Sequence, residues 1–300
     1  MTAAAEARAE TARQEFAIDV EDVTYVTHAG KPYLARLYKP KGNGPFPVII
    51  DLHGGAWNNQ DRTTDTVICE ALAKSGVLVV ALDFRMPPDA AYPASLADIN
   101  YAVRWVRANA AKLKAKPGKI GYIGISSGGH QGMLAAMRPN DARYGAATSA
   151  EVPKGDASVQ CVLLLWPVID RLGRYRYGKD AAARRKLSEF PQQLPNAIPS
   201  HDKFCGTEAA MEEGSPPYIL EKGEKVEMPP VLYVQGDADR MHPRPHLDRF
   251  VELYRKRGGT VELELYPGEV EGFVTRQAKT EANKRAATAR IIEFVHRQLG

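Results

Sequence analysis

The chain has little cysteine. Its 300 residues hold three, Cys69, Cys161 and Cys205. The number is odd and no CxxC spacing occurs, so neither disulfide stapling nor a zinc site is expected, and a reducing compartment is. Long apolar runs are missing as well: no stretch approaches the ~20 residues needed to span a bilayer, and no membrane partner is expected. Nor does one sign of charge dominate. Forty Lys and Arg against 36 Asp and Glu leave a formal net charge of +4, and no Lys/Arg run with interleaved aromatics offers a surface to nucleic acid. Residues 1–16, MTAAAEARAETARQEF, lack the apolar centre of a secretory signal. What these absences leave is a soluble, cytoplasmic protein whose 300 residues are read as a single domain.

The pattern that is present is an alternation. After residues 1–18, read as an N-terminal helical arm by propensity, two strand-like runs (Val23 to Thr27, Tyr33 to Tyr38) flank Ala29-Gly30-Lys31, as in an antiparallel hairpin. Continuous apolar runs then recur at Pro47 to Leu52, Val77 to Leu82, Ile120 to Ile125, Val159 to Trp166, Val231 to Val234 and Val261 to Tyr266. Such runs fit strands buried on both faces. Helical faces lie between and after them: Leu96, Ile99, Val103, Val106 and Leu113; Leu247, Phe250, Val251 and Tyr254; Ile291, Ile292, Val295 and Leu299. The fold class is therefore α/β, a mostly parallel central sheet of about eight strands flanked by helices. One stretch, 170–227, carries charges and prolines but no buried-strand run. It is too long for a structureless connection and reads as an inserted helical cap, with short helices over Ala181 to Phe190 and Ser200 to Glu213. Its expected place is above the carboxyl ends of the strands, where open α/β sheets bind ligands.

Two motifs carry chemistry. Gly124-Ile125-Ser126-Ser127-Gly128 is a G-x-S-x-G pentapeptide between the strand KIGYIGI and a helical GHQGMLAAM. In that context Ser126 is a nucleophile on a tight strand-to-helix turn. His53-Gly54-Gly55-Ala56-Trp57 follows the PVIIDL strand. Its paired glycines let backbone N–H groups approach a substrate oxygen, so Gly54, Gly55 and Ser127 are the candidate oxyanion donors.

With these residues in view, the chain resembles the hormone-sensitive-lipase-like, bacterial carboxylesterase branch of the α/β-hydrolase superfamily. Further matching segments are Asp83-Phe84-Arg85-Met86-Pro87-Pro88, Tyr92 to Asp98, and Val231 to Asp239. The resemblance implies an α/β-hydrolase fold, a serine esterase without metal or cofactor, and Asp239 as the acid of a triad. It also implies a histidine in the loop after the last strand, within Y-P-G-x-x-H-G-F. Here that loop reads Tyr266-Pro267-Gly268-Glu269-Val270-Glu271-Gly272-Phe273, with Glu271 in the histidine's place. A carboxylate (~4.3) is a weaker base than an imidazole (~6.5) by about two pKa units, or ~3 kcal/mol. Two facing carboxylates tend to share a proton, which raises one of them. The expected arrangement is thus an atypical Ser126–Glu271–Asp239 site.

His242, three residues past Asp239, is the candidate substitute base should its loop rearrange; as with His53, His130 and His246, a satisfied structural role is the simpler reading. His201 and His296 read as cap and surface residues. Arg171, Arg174, Arg176, Lys179, Arg184, Arg185 and Lys186 form a basic cluster in the inserted segment. Read as a solvated helix face, it does nothing; pointed inward, Arg174 and Arg176, with Trp57 and Tyr175, would bind substrate and favour a carboxylate on it. The expected function is hydrolysis of a carboxylic ester, and the expected partners are a small-molecule ester or acid and a second copy of the chain in a homodimer. The alternatives are a ligand-binding protein of the same fold without hydrolysis, and a lyase-type reaction with Glu271 as carboxylate base.

Overall fold

The computed structural model describes residues 15–184 and 197–300, with side chains described through 180 and from 197. Most of the expected arm over 1–18 lies outside these residues, as do Arg185, Lys186 and the second half of the helix expected over 181–190; the Arg184 side chain is likewise not described.

Every expected strand is present. β1 (Ile18–His28) and β2 (Lys31–Pro40) form the antiparallel hairpin. The turn joins them through Ala29 and Gly30 at φ 48° and 81°, the left-handed pair that suits the twist of a two-residue hairpin. β3 (Phe46–Leu52), β4 (Leu78–Leu82), β5 (Ala115–Ile125), β6 (Cys161–Leu165), β7 (Val231–Gly236) and β8 (Val261–Tyr266) complete an eight-stranded sheet in the order β1-β2-β4-β3-β5-β6-β7-β8. β2 meets β4 antiparallel, and every pair from β4 to β8 is parallel. β3, β4, β6 and β7 are buried along their whole lengths, as continuous apolar runs require. β8 departs from that expectation. It is the edge strand, and its Glu262 and Glu264 face Arg290 of the last helix, with Glu264 Oε1 accepting from Arg290 Nε at 2.8 Å. Charge along an edge also discourages pairing with another chain.

Helices cover both faces. α1 (Thr66–Lys74) packs one side, with Ile68 and Leu72 inward. On the other lie α2 (Ala94–Ala108), α3 (Ala110–Leu113) and α4 (Ser127–Met137), and Leu113 of the expected face belongs to the short α3 rather than to α2. Between β6 and β7 the chain runs through α5 (Arg171–Arg184), α6 (Ile198–Cys205), α7 (Glu208–Glu213) and α8 (Pro216–Glu221). α9 (Arg244–Lys256) buries Leu247, Phe250, Val251 and Tyr254. α10 (Glu281–Leu299) joins α1, burying Ile291, Phe294, Val295 and Leu299 while Ile292 stays at its margin. Among the described residues no helix is long and apolar enough to cross a membrane, and no group of three or more His, Cys, Asp or Glu could hold a metal ion.

Candidate active site

β5 runs directly into Ser126, which caps α4 with φ 53° and ψ −115°. That backbone conformation is rare and costly for a side chain other than glycine. Three hydrogen bonds hold it: Ser126 N–H donates to Leu165 O (3.0 Å), and Ser126 O accepts from His130 N (3.3 Å) and Val168 N (2.9 Å). Gly128 makes the approach of α4 to β3 sterically accessible, since a Cβ there would sit 1.9 Å from Leu52 O. The hydroxyl is thereby raised at the carboxyl end of the sheet, where it lines a cavity of about 410 Å³.

His242 meets that hydroxyl. Its Nε2 lies 3.1 Å from Ser126 Oγ, and its Nδ1 lies 2.9 Å from Asp239 Oδ2. The loop after β7 fixes this geometry within four residues. Asp239 Oδ1 accepts from Met241 N (2.8 Å) and His242 N (3.1 Å), so the carboxylate closes a tight turn with one oxygen and orients the imidazole with the other. Gln235 Nε2 donates to His242 O at 2.9 Å and ties the loop back to β7. Both side chains are buried.

This arrangement corrects the expected Ser126–Glu271–Asp239 contact. Glu271 lines the same cavity, but its carboxylate stands 3.9 Å from His242 Nδ1 and 3.8 Å from Arg276 Nη2, with 34% of the side chain exposed. It flanks the imidazole and does not replace it. The rest of its loop serves α10: Glu269 accepts from Lys279 N (2.8 Å), Thr280 N (3.1 Å) and Asn283 Nδ2 (2.9 Å).

The glycine pair stands opposite. Gly55 adopts φ +87°, and a Cβ on it would fall 2.1 Å from Asn59 O, so the loop cannot take this course with another residue. Among the described residues the N–H groups of Gly54, Gly55 and Ser127 have no intramolecular acceptor. Ser127 Oγ accepts from Trp57 N at 3.1 Å, which joins the two motifs. His53 stacks on Phe84 with ring centres 4.3 Å apart, and burial lowers its pKa below the usual imidazole range. Its Nδ1 pairs with Gly54 O at 3.0 Å, so it shapes the loop.

The expected substrate-binding residues separate. Trp57 is 0% exposed and does not border the cavity. Its indole donates to His130 Nδ1 (3.3 Å), stacks on Phe204 (5.3 Å) and meets His201 edge-on (4.8 Å), locking the loop to α6. Tyr175 is buried with Leu172 and Met211. Arg176 points outward, 55% exposed, and pairs with Glu208 at 2.9 Å. Of the four, Arg174 alone lines the cavity. Helical spacing divides the basic cluster: Arg171 and Arg174 share the buried face and Arg176 lies off it. His201, read as a cap residue, is buried against Trp57; a single histidine in a short helix gives no sequence signal for this. His130 is structural, its Nε2 pairing with Gly214 O at 2.7 Å. Asn59, Gln60, Thr64, Trp166, Met241 and Thr275 also line the cavity and carry no motif that would have singled them out.

A sequence family, curated relatives and solved structures resemble this chain. The sequence model of the BD-FAE family matches residues 36–252. Esterase LipC of Mycobacterium tuberculosis is 28% identical over 84% of this chain and 59% of its own length. Esterase LipI of the same organism is 32% identical, over 86% of this chain and 77% of its own. The chain thus spans about three fifths of LipC. Among solved structures, the hyperthermophilic esterase of the archaeon Pyrobaculum calidifontis superposes with a TM-score of 0.75 at 23% identity, covering 94% of this chain and 87% of that one. The shared architecture is the α/β-hydrolase fold.

Proposed function

The chain belongs to the BD-FAE family of α/β-hydrolases, and from that premise we propose that it hydrolyses carboxylic esters through Ser126, His242 and Asp239. The observation that carries the reading is the unbroken hydrogen-bonded line from Ser126 Oγ through both nitrogens of His242 to Asp239 Oδ2, at 3.1 and 2.9 Å. The relatives named as esterases support it.

In this mechanism Asp239 holds the imidazole with its proton on Nδ1 and leaves Nε2 free to take the Ser126 proton. Ser126 Oγ attacks the ester carbonyl carbon. The carbonyl oxygen gains negative charge as the carbon becomes tetrahedral, and the N–H groups of Gly54, Gly55 and Ser127 receive it. One such donor typically contributes ~3 kcal/mol to lowering the barrier. His242 returns its proton to the departing alcohol, an acyl group stays on Ser126, and water activated by the same imidazole releases the acid. Glu271, close to the Nδ1 edge of the ring, adds negative potential where the imidazolium forms. Its exposure and its contact with Arg276 keep that contribution modest.

The test is initial rates on p-nitrophenyl acetate and butyrate for the wild type and Ser126→Ala. The reading requires a rate that disappears with the serine. Turnover that persists in Ser126→Ala would sink it.

A further inference from the structure

Arg174 is a buried cation at the edge of the catalytic cavity with part of its donor fork unengaged. The residue is 3% exposed and borders the same space as Ser126. Its Nε donates to His201 Nε2 at 3.4 Å, and its guanidinium packs over the Trp57 ring at 5.5 Å. His201 cannot share the charge. Its Nδ1 pairs with Ala197 O at 2.9 Å, and burial, then the Arg174 charge, push its pKa well below the imidazole range. Arg174 Nη2 is buried with no acceptor among the described residues. Glu271 and Asp239 act on Arg174 through space without bonding to it. Each has nearer partners, Arg276 and His242 for Glu271 and His242 for Asp239.

A guanidinium taken out of water with an idle nitrogen is expensive unless an acceptor joins it. Arg171, one turn earlier and also buried, has an idle nitrogen too. Its Nε and Nη2, however, engage the Met211 and Ala210 carbonyls, and it does not border the cavity. Arg174 differs in bordering the cavity that Ser126 lines. A planar carboxylate matches its fork, and in a buried site such a charge-assisted contact is strong. Burial lowers the Arg174 pKa only to about 10, so the cation persists at neutral pH.

We propose that Arg174 selects esters bearing a free carboxylate on the acyl or alcohol part, so that the preferred substrates are half-esters of short dicarboxylic acids or similar anions. This rests on the ester-hydrolase reading above. Glu271, on the wall of the same cavity, opposes the anion and sets an upper bound on the selectivity.

The test compares mono-4-nitrophenyl succinate with its methyl ester, a neutral partner of nearly the same size, on the full chain. For the wild type, kcat/KM should favour the free acid by about tenfold or more, the range of a charge-assisted hydrogen bond. Arg174→Met should bring the ratio close to one, and Arg174→Lys should keep part of it. A wild-type ratio at or below one overturns the proposal, as does an unchanged ratio in Arg174→Met with both rates lowered together. Should Arg174→Met fail to fold by circular dichroism, the wild-type ratio and Arg174→Lys decide. If neither ester is turned over in a Ser126-dependent way, the rates on p-nitrophenyl acetate and butyrate judge the hydrolase reading. Calorimetry with monomethyl succinate and dimethyl succinate on the wild type then judges Arg174 alone. Binding of the anion about tenfold tighter supports the proposal; equal or absent binding overturns it.

Discussion

Two loops leave the carboxyl ends of adjacent strands, and each carries an acidic residue and a second candidate base. After β7, Asp239 and His242 form a buried pair inside one tight turn. After β8, Glu269 and Glu271 are divided between capping α10 and flanking the cavity. The difference teaches that matching the flanks of a motif locates a loop without locating its donor. Tyr266, Pro267, Gly268, Gly272 and Phe273 preserve the shape of the β8 loop. The imidazole reaches the serine from the neighbouring loop, because a carboxylate at one position can cap the two backbone N–H groups that precede and include the histidine three residues on.

The comparison breaks most visibly at the bases themselves. His242→Ala should lower kcat/KM on p-nitrophenyl butyrate by about 10³-fold or more, whereas Glu271→Gln should cost less than about tenfold. Steady-state kinetics that reverse this order would return the base to the β8 loop. Asp239→Asn is next: it should cost about 10³- to 10⁴-fold by presenting the wrong imidazole tautomer while leaving the fold intact by circular dichroism. A loss below tenfold would mean that Glu271 can stand in for Asp239.

Much of this was legible in the residues. Val48, Ile49 and Ile50, or Val79 and Val80, announce strands buried on both faces because no helix register places consecutive β-branched side chains all inward. Ser126 and Gly54-Gly55 declare themselves because their motifs lie next to strands. His242 did not, since an Asp–His spacing of three in a loop has no periodic signature until the backbone turn is known. Arg174 and Arg176 were indistinguishable for the same kind of reason. Their separation depends on which face of α5 meets the body, and that is set by Leu172 and Tyr175 packing on Met211. The edge position of β8 was hidden as well, because Val261, Leu263 and Leu265 read as core while Glu262 and Glu264 find partners on α10.

A smaller effect sharpens the comparison from beneath the β8 loop. Asp65, the residue just before α1, is raised to about 7 by burial, with the Arg276 charge pulling the other way. An unfolded Asp titrates near ~3.9. Between about 4 and about 7 the folded protein therefore keeps a proton that the unfolded chain has lost. Stability is complete below that window, falls as pH rises through it, and is level above it, with a slope of up to about 1.4 kcal/mol per pH unit. Asp51, raised by burial and by Asp65, acts in the same direction. Urea midpoints from pH 4 to 8 should decline in the wild type and decline less in Asp65→Asn. Arg276→Ala should carry the decline to higher pH. Parallel curves for all three would place Asp65 outside the linkage.

The indole of Trp57 has an architectural consequence. Its backbone N–H is fastened to the turn that starts α4, and its ring is wedged among Phe204, His201 and the Arg174 guanidinium. The segment between β6 and β7 is thus not a detachable module. Trimming it to build a smaller catalyst would strip the covering from a large aromatic surface and release the glycine loop at the same stroke. Changes of that segment over evolutionary time have to preserve a socket for one tryptophan, whatever else they alter about the cavity.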